Sequence, residues 1–117
     1  MKFLMSLLFV SGLVMAQPSV ETFVIEVRDR SMSVLSPEKV KKIFTVLVEN
    51  QSLSDQVVKF TVKGKILKYV SIKSGHTESV EIENNTTSNV VFVPVSPAFQ
   101  EAELIFGKKA YEIPSKK

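Results

Sequence analysis

Apolar and polar residues alternate with a period of two over most of this chain, the pattern of strands with one face in a core and one in water. Residues 19–27 place Phe23, Ile25 and Val27 on one face. In residues 42–48, Phe44, Val46 and Val48 share a face while Ile43 and Leu47 load the other, which predicts a central strand covered at least in part on both sides. Residues 56–62 alternate most cleanly, with Val58, Phe60 and Val62 set against Lys59, Thr61 and Lys63. Further strands are predicted over 65–73, over 78–83 with Val80 and Ile82 inward, and over 89–95. Two more, over 102–106 and 110–113, flank a turn at Gly107-Lys108. No long helix, internal repeat or low-complexity tract is expected.

The breaks carry turn chemistry. Residues 50–55 and 84–89 (NNTTSN) are polar loops, Ser74-Gly75-His76 is a turn, and Lys63-Gly64 is a tight hairpin because glycine tolerates positive φ. Pro94 and Pro97 are expected to end the Val/Phe run, since proline donates no hydrogen bond to a ladder. Ser36-Pro37-Glu38 predicts a single helical turn. One segment conflicts with itself. A two-residue hairpin at Lys63-Gly64 pairs Phe60 with Leu67 and places Leu67 and Tyr69 on the core face, leaving Val70 and Ile72 on the other. A bulge near Tyr69-Val70, or a strand crossing between sheets there, resolves the conflict.

Seven or eight short antiparallel strands in about 100 residues predict an all-β fold, a single two-sheet sandwich. The run Phe44-Thr45-Val46-Leu47-Val48-Glu49-Asn50-Gln51-Ser52, followed by Val57-Val58-Lys59-Phe60-Thr61-Val62, resembles bacterial immunoglobulin-like (Ig/fibronectin-III-like) modules. In these, a strand ending in V-x-N-x-S leads through a polar loop to the next strand. Ser74-Gly75-His76-Thr77-Glu78-Ser79-Val80-Glu81-Ile82 is similar to their glycine turn and polar pair before a short strand. The resemblance covers about a third of the chain, from Phe44 to Ile82, and implies the fold. It carries no catalytic or binding residue across, and the Cys and Trp of antibody-type domains are absent.

The N-terminus reads differently. Met1-Lys2 precedes an apolar run from Phe3 to Met15, then Ala16 and Gln17-Pro18, the pattern of a cleavable signal peptide over residues 1–16. As a helix this run spans about 20 Å, short of the roughly 30 Å of bilayer hydrocarbon. The expected mature domain is 17–117, soluble, without a membrane span, and periplasmic or secreted, with a bacterial envelope as its setting. It has no cysteine, which excludes disulfides, a lipid-bearing cysteine, thiol catalysis and thiolate metal ligands. Without Lys2 its 14 basic and 12 acidic side chains leave a net +2, too weak for a nucleic-acid binder.

No reactive constellation is visible, so neither an enzyme nor a cofactor is expected. His76 is the one histidine and lies in a turn, without a nucleophile and oriented base around it or metal ligands at useful spacing. A copper site of the two-His, one-Cys kind is excluded by composition. Glu81 and Glu83, like Glu101 and Glu103, are the wet faces of strands. Asn50-Gln51-Ser52, Asn84-Asn85-Thr86 and Asn85-Thr86-Thr87 match the glycosylation pattern and are read as loop asparagines.

The charge feature that stands out is Lys59, Lys63, Lys65, Lys68 and Lys73, with Tyr69 among them and no acid between. It reads first as edge protection against sheet-to-sheet aggregation. It reads second as a contact for an anionic partner, an envelope polymer, lipid headgroups or an acidic protein. Pairing with Glu78, Glu81 and Glu83 is the third reading. The expected function is an exported, non-enzymatic binding or assembly module contacting another envelope or secreted protein. The alternatives are a small-ligand carrier, whose cavity Phe23, Phe44, Phe60 or Phe92 would line, and an inhibitor of an extracellular hydrolase using a rigid loop at 52–56 or 84–89.

Overall fold

A computed structural model describes residues 21–114, so residues 1–20, which include the expected signal peptide, and the last three residues lie outside the described part. The alternating segments form strands: β1 (Phe23–Val27), β2 (Ser31–Leu35), β3 (Ile43–Asn50), β4 (Gln56–Val62), β5 (Lys65–Ile72), β6 (Thr77–Glu83), β7 (Val90–Ser96), β8 (Ala102–Leu104) and β9 (Tyr111–Pro114). They make two sheets, ordered β6-β3-β1-β2-β9 and β5-β4-β7-β8. The fold is the all-β two-sheet sandwich that the periodicity predicts.

Two features depart from the expected set. β2 was not among the predicted strands, although Met32 and Val34 are buried and Ser31 and Ser33 are only partly so. With β2 added, the described residues hold nine strands. One pair is also parallel: β2 returns the chain along one side of β1, so β3 rises on the other side in β1's own direction, Phe23 opposite Val46 and Val27 opposite Asn50.

The core forms where the two inner faces meet. Phe23, Ile25, Val46, Val48, Val58, Phe60, Ile72, Ile82 and Phe92 are fully buried. The phenylalanines pack ring on ring: Phe23 lies 5.4 Å from Phe44 and 5.0 Å from Phe106, and Phe60 lies 5.4 Å from Phe92. Tilted and edge-to-face contacts of this kind add to the area they bury. β3 is less covered on its outer face than expected, with Leu47 half-buried and Ile43 exposed.

The register conflict is resolved by a bulge, two residues earlier than expected. Lys63 and Gly64 both have positive φ (50° and 81°), as a two-residue hairpin with the strands' own twist requires. Pairing runs Val62 with Lys65 and Thr61 with Ile66, then skips Leu67, so that Phe60 faces Lys68 and Val58 faces Val70. The extra residue turns Leu67, Val70 and Ile72 toward the core. Tyr69 is thereby on the outer face and exposed, contrary to the core position the simple register implies.

Two further expectations are corrected. Pro94 does not end β7 but lies buried inside it, beside a register shift at Val57/Val58, where β8, which pairs only with Val90 to Phe92, no longer flanks the strand. Residues 36–38 form no helical turn; Ser36 is buried and its hydroxyl has no hydrogen-bond partner among the described residues.

β9 closes the far side. It pairs with β2, and the Tyr111 hydroxyl donates to the Glu103 carbonyl at 3.1 Å, tying one sheet to the other. Burial, and then the nearby Glu103 carboxylate, raise the Tyr111 pKa above its ordinary value. The neutral phenol is therefore the form the fold favours. Its stabilisation is complete below about pH 10 and is lost as pH rises through the raised pKa. Urea midpoints taken from pH 9 to pH 12 are expected to fall more steeply for the wild type than for Tyr111→Phe. Parallel curves would refute this.

Candidate functional site

The loop from Asn50 to Asp55 is built around a side chain that is itself buried. Asn50 is 1% exposed. Its amide Nδ2 donates to the carbonyls of Ser54 and Ile72, both at 2.9 Å, and its Oδ1 accepts from the Ser52 amide at 3.0 Å and the Ser52 hydroxyl at 2.6 Å. Gln56 Nε2 donates to Ser52 Oγ at 3.1 Å. A buried amide with all four of these bonds fixes the backbone around it, because no alternative conformation satisfies the same groups.

Neighbouring turns hold the loop from outside. Asp29 Oδ1 accepts from the Leu53 amide and Asp55 Oδ1 from the Ser74 amide, each at 2.9 Å, and Ser74 Oγ donates to the Ser52 carbonyl at 2.6 Å. Backbone bonds from Asn50 to His76, Gly75 to Asn50 and Gln51 to Val27 complete the tie. On this scaffold Leu53 is 87% exposed, more than any other large apolar side chain among the described residues. Charged and polar groups surround it in sequence and space: Asp29, Asp55 and Ser74 by direct hydrogen bonds to the loop, with exposed Lys73 and His76 in the tied turn. Beside the loop is an open depression of ≈ 240 Å³, lined by Val27, Arg28, Asp29, Ser52, Gln56 and Phe99 among others. Arg28 is already committed there, to Glu26 at 2.8 Å and Glu112 at 3.0 Å.

Residues 84–88 repeat the same bonding without the burial. Asn84 Nδ2 donates to the Ser88 carbonyl at 2.8 Å, Asn84 Oδ1 accepts from the Thr86 amide at 3.0 Å and hydroxyl at 2.8 Å, and Thr86 Oγ1 accepts from the Ser88 amide at 3.1 Å. Asn-x-Ser/Thr-x-Ser is thus a loop-closing pattern in this chain, used twice. It accounts for two of the three glycosylation matches, Asn50 and Asn84, since their amides are occupied in closing their own loops.

The lysine segment does not form one patch. Lys59 and Tyr69 lie opposite each other on the outer face of the four-stranded sheet, beside half-buried Val57, Val91 and Val93. Lys63 is in the hairpin, Lys65 and Lys68 follow the free edge of β5, and Lys73 is at the other end of that strand, roughly 25 Å from Lys65 at the usual rise per residue. None of them pairs with Glu78, Glu81 or Glu83. The ion pairs among the described residues join Arg28 to Glu26 and Glu112 only. β5 and β6 belong to different sheets, which keeps the two rows apart.

His76 is exposed in its turn, and no three His, Asp or Glu side chains converge among the described residues. Nor is any helix there long and apolar enough to cross a membrane. No protein-family model, curated protein or solved structure matches the chain.

Proposed function

We propose that this chain is an exported, non-enzymatic binding module that docks onto another envelope or secreted protein through the loop end carrying Leu53. The observation that carries this reading is the combination of a side chain 87% exposed and a loop stapled on every side. Holding a leucine in water has no benefit to folding. A rigid loop, however, loses little conformational entropy when that leucine enters a partner's pocket, and a polar surround suits the rim of such a contact. The same rigidity supports a narrower version, an inhibitor of an extracellular hydrolase, in which Leu53 occupies a substrate pocket. The ligand-carrier alternative draws no support from the core, because Phe23, Phe44, Phe60 and Phe92 pack on neighbouring rings.

Affinity purification of the tagged protein from native envelope extract tests this, with Leu53→Asp purified in parallel. The wild type is expected to recover a partner in stoichiometric amount. Leu53→Asp is expected to lose it, with a fall in affinity of at least about 30-fold, as for a hot-spot residue. The thermal midpoint should be unchanged within the error of surface substitutions. Equal recovery by both proteins would overturn the reading. Inhibition of one member of a hydrolase panel by the wild type, and not by Leu53→Asp, would select the narrower version.

A further inference from the structure

We propose that two copies of this chain associate edge to edge, β5 of each copy lying against β6 of the other about a two-fold axis parallel to the strands. The inference is independent of the Leu53 loop. It starts from how differently the two sides of the sandwich are finished. On one side the edge strands β8 and β9 have three and four residues and are joined by the Tyr111 hydroxyl. On the other, β5 has eight residues and β6 seven, and the turn at 73–76 joins these two edges on the same side of the sandwich. Long edges leave a row of backbone amide and carbonyl groups unpaired, a ready template for another strand.

Charge decides which strand that is. β5 carries exposed Lys65 and Lys68, with Lys63 and Lys73 at its ends, and no acid occurs between Asp55 and Glu78. β6 carries exposed Glu78, Glu81 and Glu83, and no lysine or arginine occurs between Lys73 and Lys108. Each edge therefore repels its own kind and attracts the other, and neither row finds an ion-pair partner within the described chain. A two-fold axis through the thickness of the sandwich would face lysines with lysines and glutamates with glutamates. An axis along the strands faces β5 with the partner's β6 and β6 with the partner's β5, a self-complementary interface.

Strand direction agrees with that axis. The tight turn at 73–76 reverses the chain between β5 and β6, so the two run in opposite directions. A copy rotated about an axis along the strands keeps its directions, which sets the partner's β5 antiparallel to β6. The bulge at Leu67 leaves residues 68–72 as the regular stretch of β5 able to add to a sheet. An unrelated acidic protein would satisfy β5 alone. A second copy satisfies both edges at once.

Sedimentation velocity of the purified protein tests the proposal, at low ionic strength and at roughly 0.5 M salt, where exposed charges more than a few Å apart are screened. A concentration-dependent dimer is expected at low salt, weakened at least about tenfold at high salt. The variant with more acidic edges, Lys65→Glu/Lys68→Glu, and the one with more basic edges, Glu81→Lys/Glu83→Lys, are each expected to stay monomeric alone. Mixed in equal amounts, they should form a one-to-one species sedimenting like the wild-type dimer. Hydrogen exchange of the wild type needs no variant: amides of β5 and β6 should gain protection as concentration rises. A wild type that stays monomeric at every concentration would overturn the proposal. So would a dimer indifferent to salt and to both variants, or protection confined to β8, β9 or the loops.

Discussion

Replacing Asn50 with alanine is expected to destabilise the domain by roughly 3 kcal/mol, while the same change at Asn84 costs less than about 1 kcal/mol. The two side chains close their loops with matching bonds, and Asn50 adds one to the Ile72 carbonyl, so the comparison reads burial together with that extra bond. In Asn84→Ala the freed groups of an exposed loop turn to water. In Asn50→Ala the Ile72 carbonyl at the end of β5 and the Ser52 amide lose their partner inside the protein, and a buried polar group without a partner costs about 1–3 kcal/mol. Three kcal/mol in a domain of about 100 residues lowers the melting temperature by roughly 15 °C. Urea or thermal unfolding of both variants checks this, and equal losses at the two sites would show that the Asn50 network is not what holds the loop. The functional consequence follows from the same bonds. Asn50→Ala should also weaken any contact made by Leu53, because the loop that presents it is no longer fixed.

Phe92→Ala is expected to cost about 3–5 kcal/mol, the range for deleting a fully buried aromatic ring that its neighbours cannot replace. Phe92 sits in the middle of β7, between β4 and β8, and its ring meets Phe60 from the paired strand at 5.4 Å. The sheets are held apart by many other side chains, so the space left by the ring does not collapse. Against a typical total of about 5–15 kcal/mol, that loss leaves a marginal fold. Phe92→Leu keeps most of the volume and should cost less than about 1.5 kcal/mol. Phe106→Ala, at a residue only partly buried against the core, should fall well below Phe92→Ala. Denaturant unfolding of the three variants gives the ranking, and a Phe92→Ala protein within 1 kcal/mol of wild type would contradict it.

The faces of β1, β3, β4 and β6 were legible in the sequence because a strand's side-chain period is two and each inner face is apolar, whereas β7, apolar on both faces, could be read as a strand but not as to which face is inward. β2 was harder. Its Ser-Met-Ser-Val-Leu alternates correctly, but it is short and half polar, and its burial comes from β1 and β9 on either side. In β5 the sequence exposed a conflict between Leu67/Tyr69 and Val70/Ile72. It did not say where the extra residue goes, since that depends on how the hairpin and the core compete for register. The Asn50 loop was readable as a pattern, because Asn-x-Ser/Thr-x-Ser occurs at the ends of both β3 and β6. Nothing local to it tells that one copy is buried against Ile72 and the other is not.

Composition and periodicity by themselves determined that this chain makes an all-β sandwich without cysteine chemistry, and which side chains of β1, β3, β4 and β6 face its core. These follow from local rules, the alternation of a pleated strand and the identity of its residues. The parallel β1–β3 pair, the bulge at Leu67 and the burial of Asn50 were decided only by the tertiary structure. So was the exposure of Leu53 on a fixed loop, and the placing of the lysine and glutamate rows on neighbouring edges of one side. Each of these depends on which strands become neighbours, and that is settled by contacts between residues far apart in the chain.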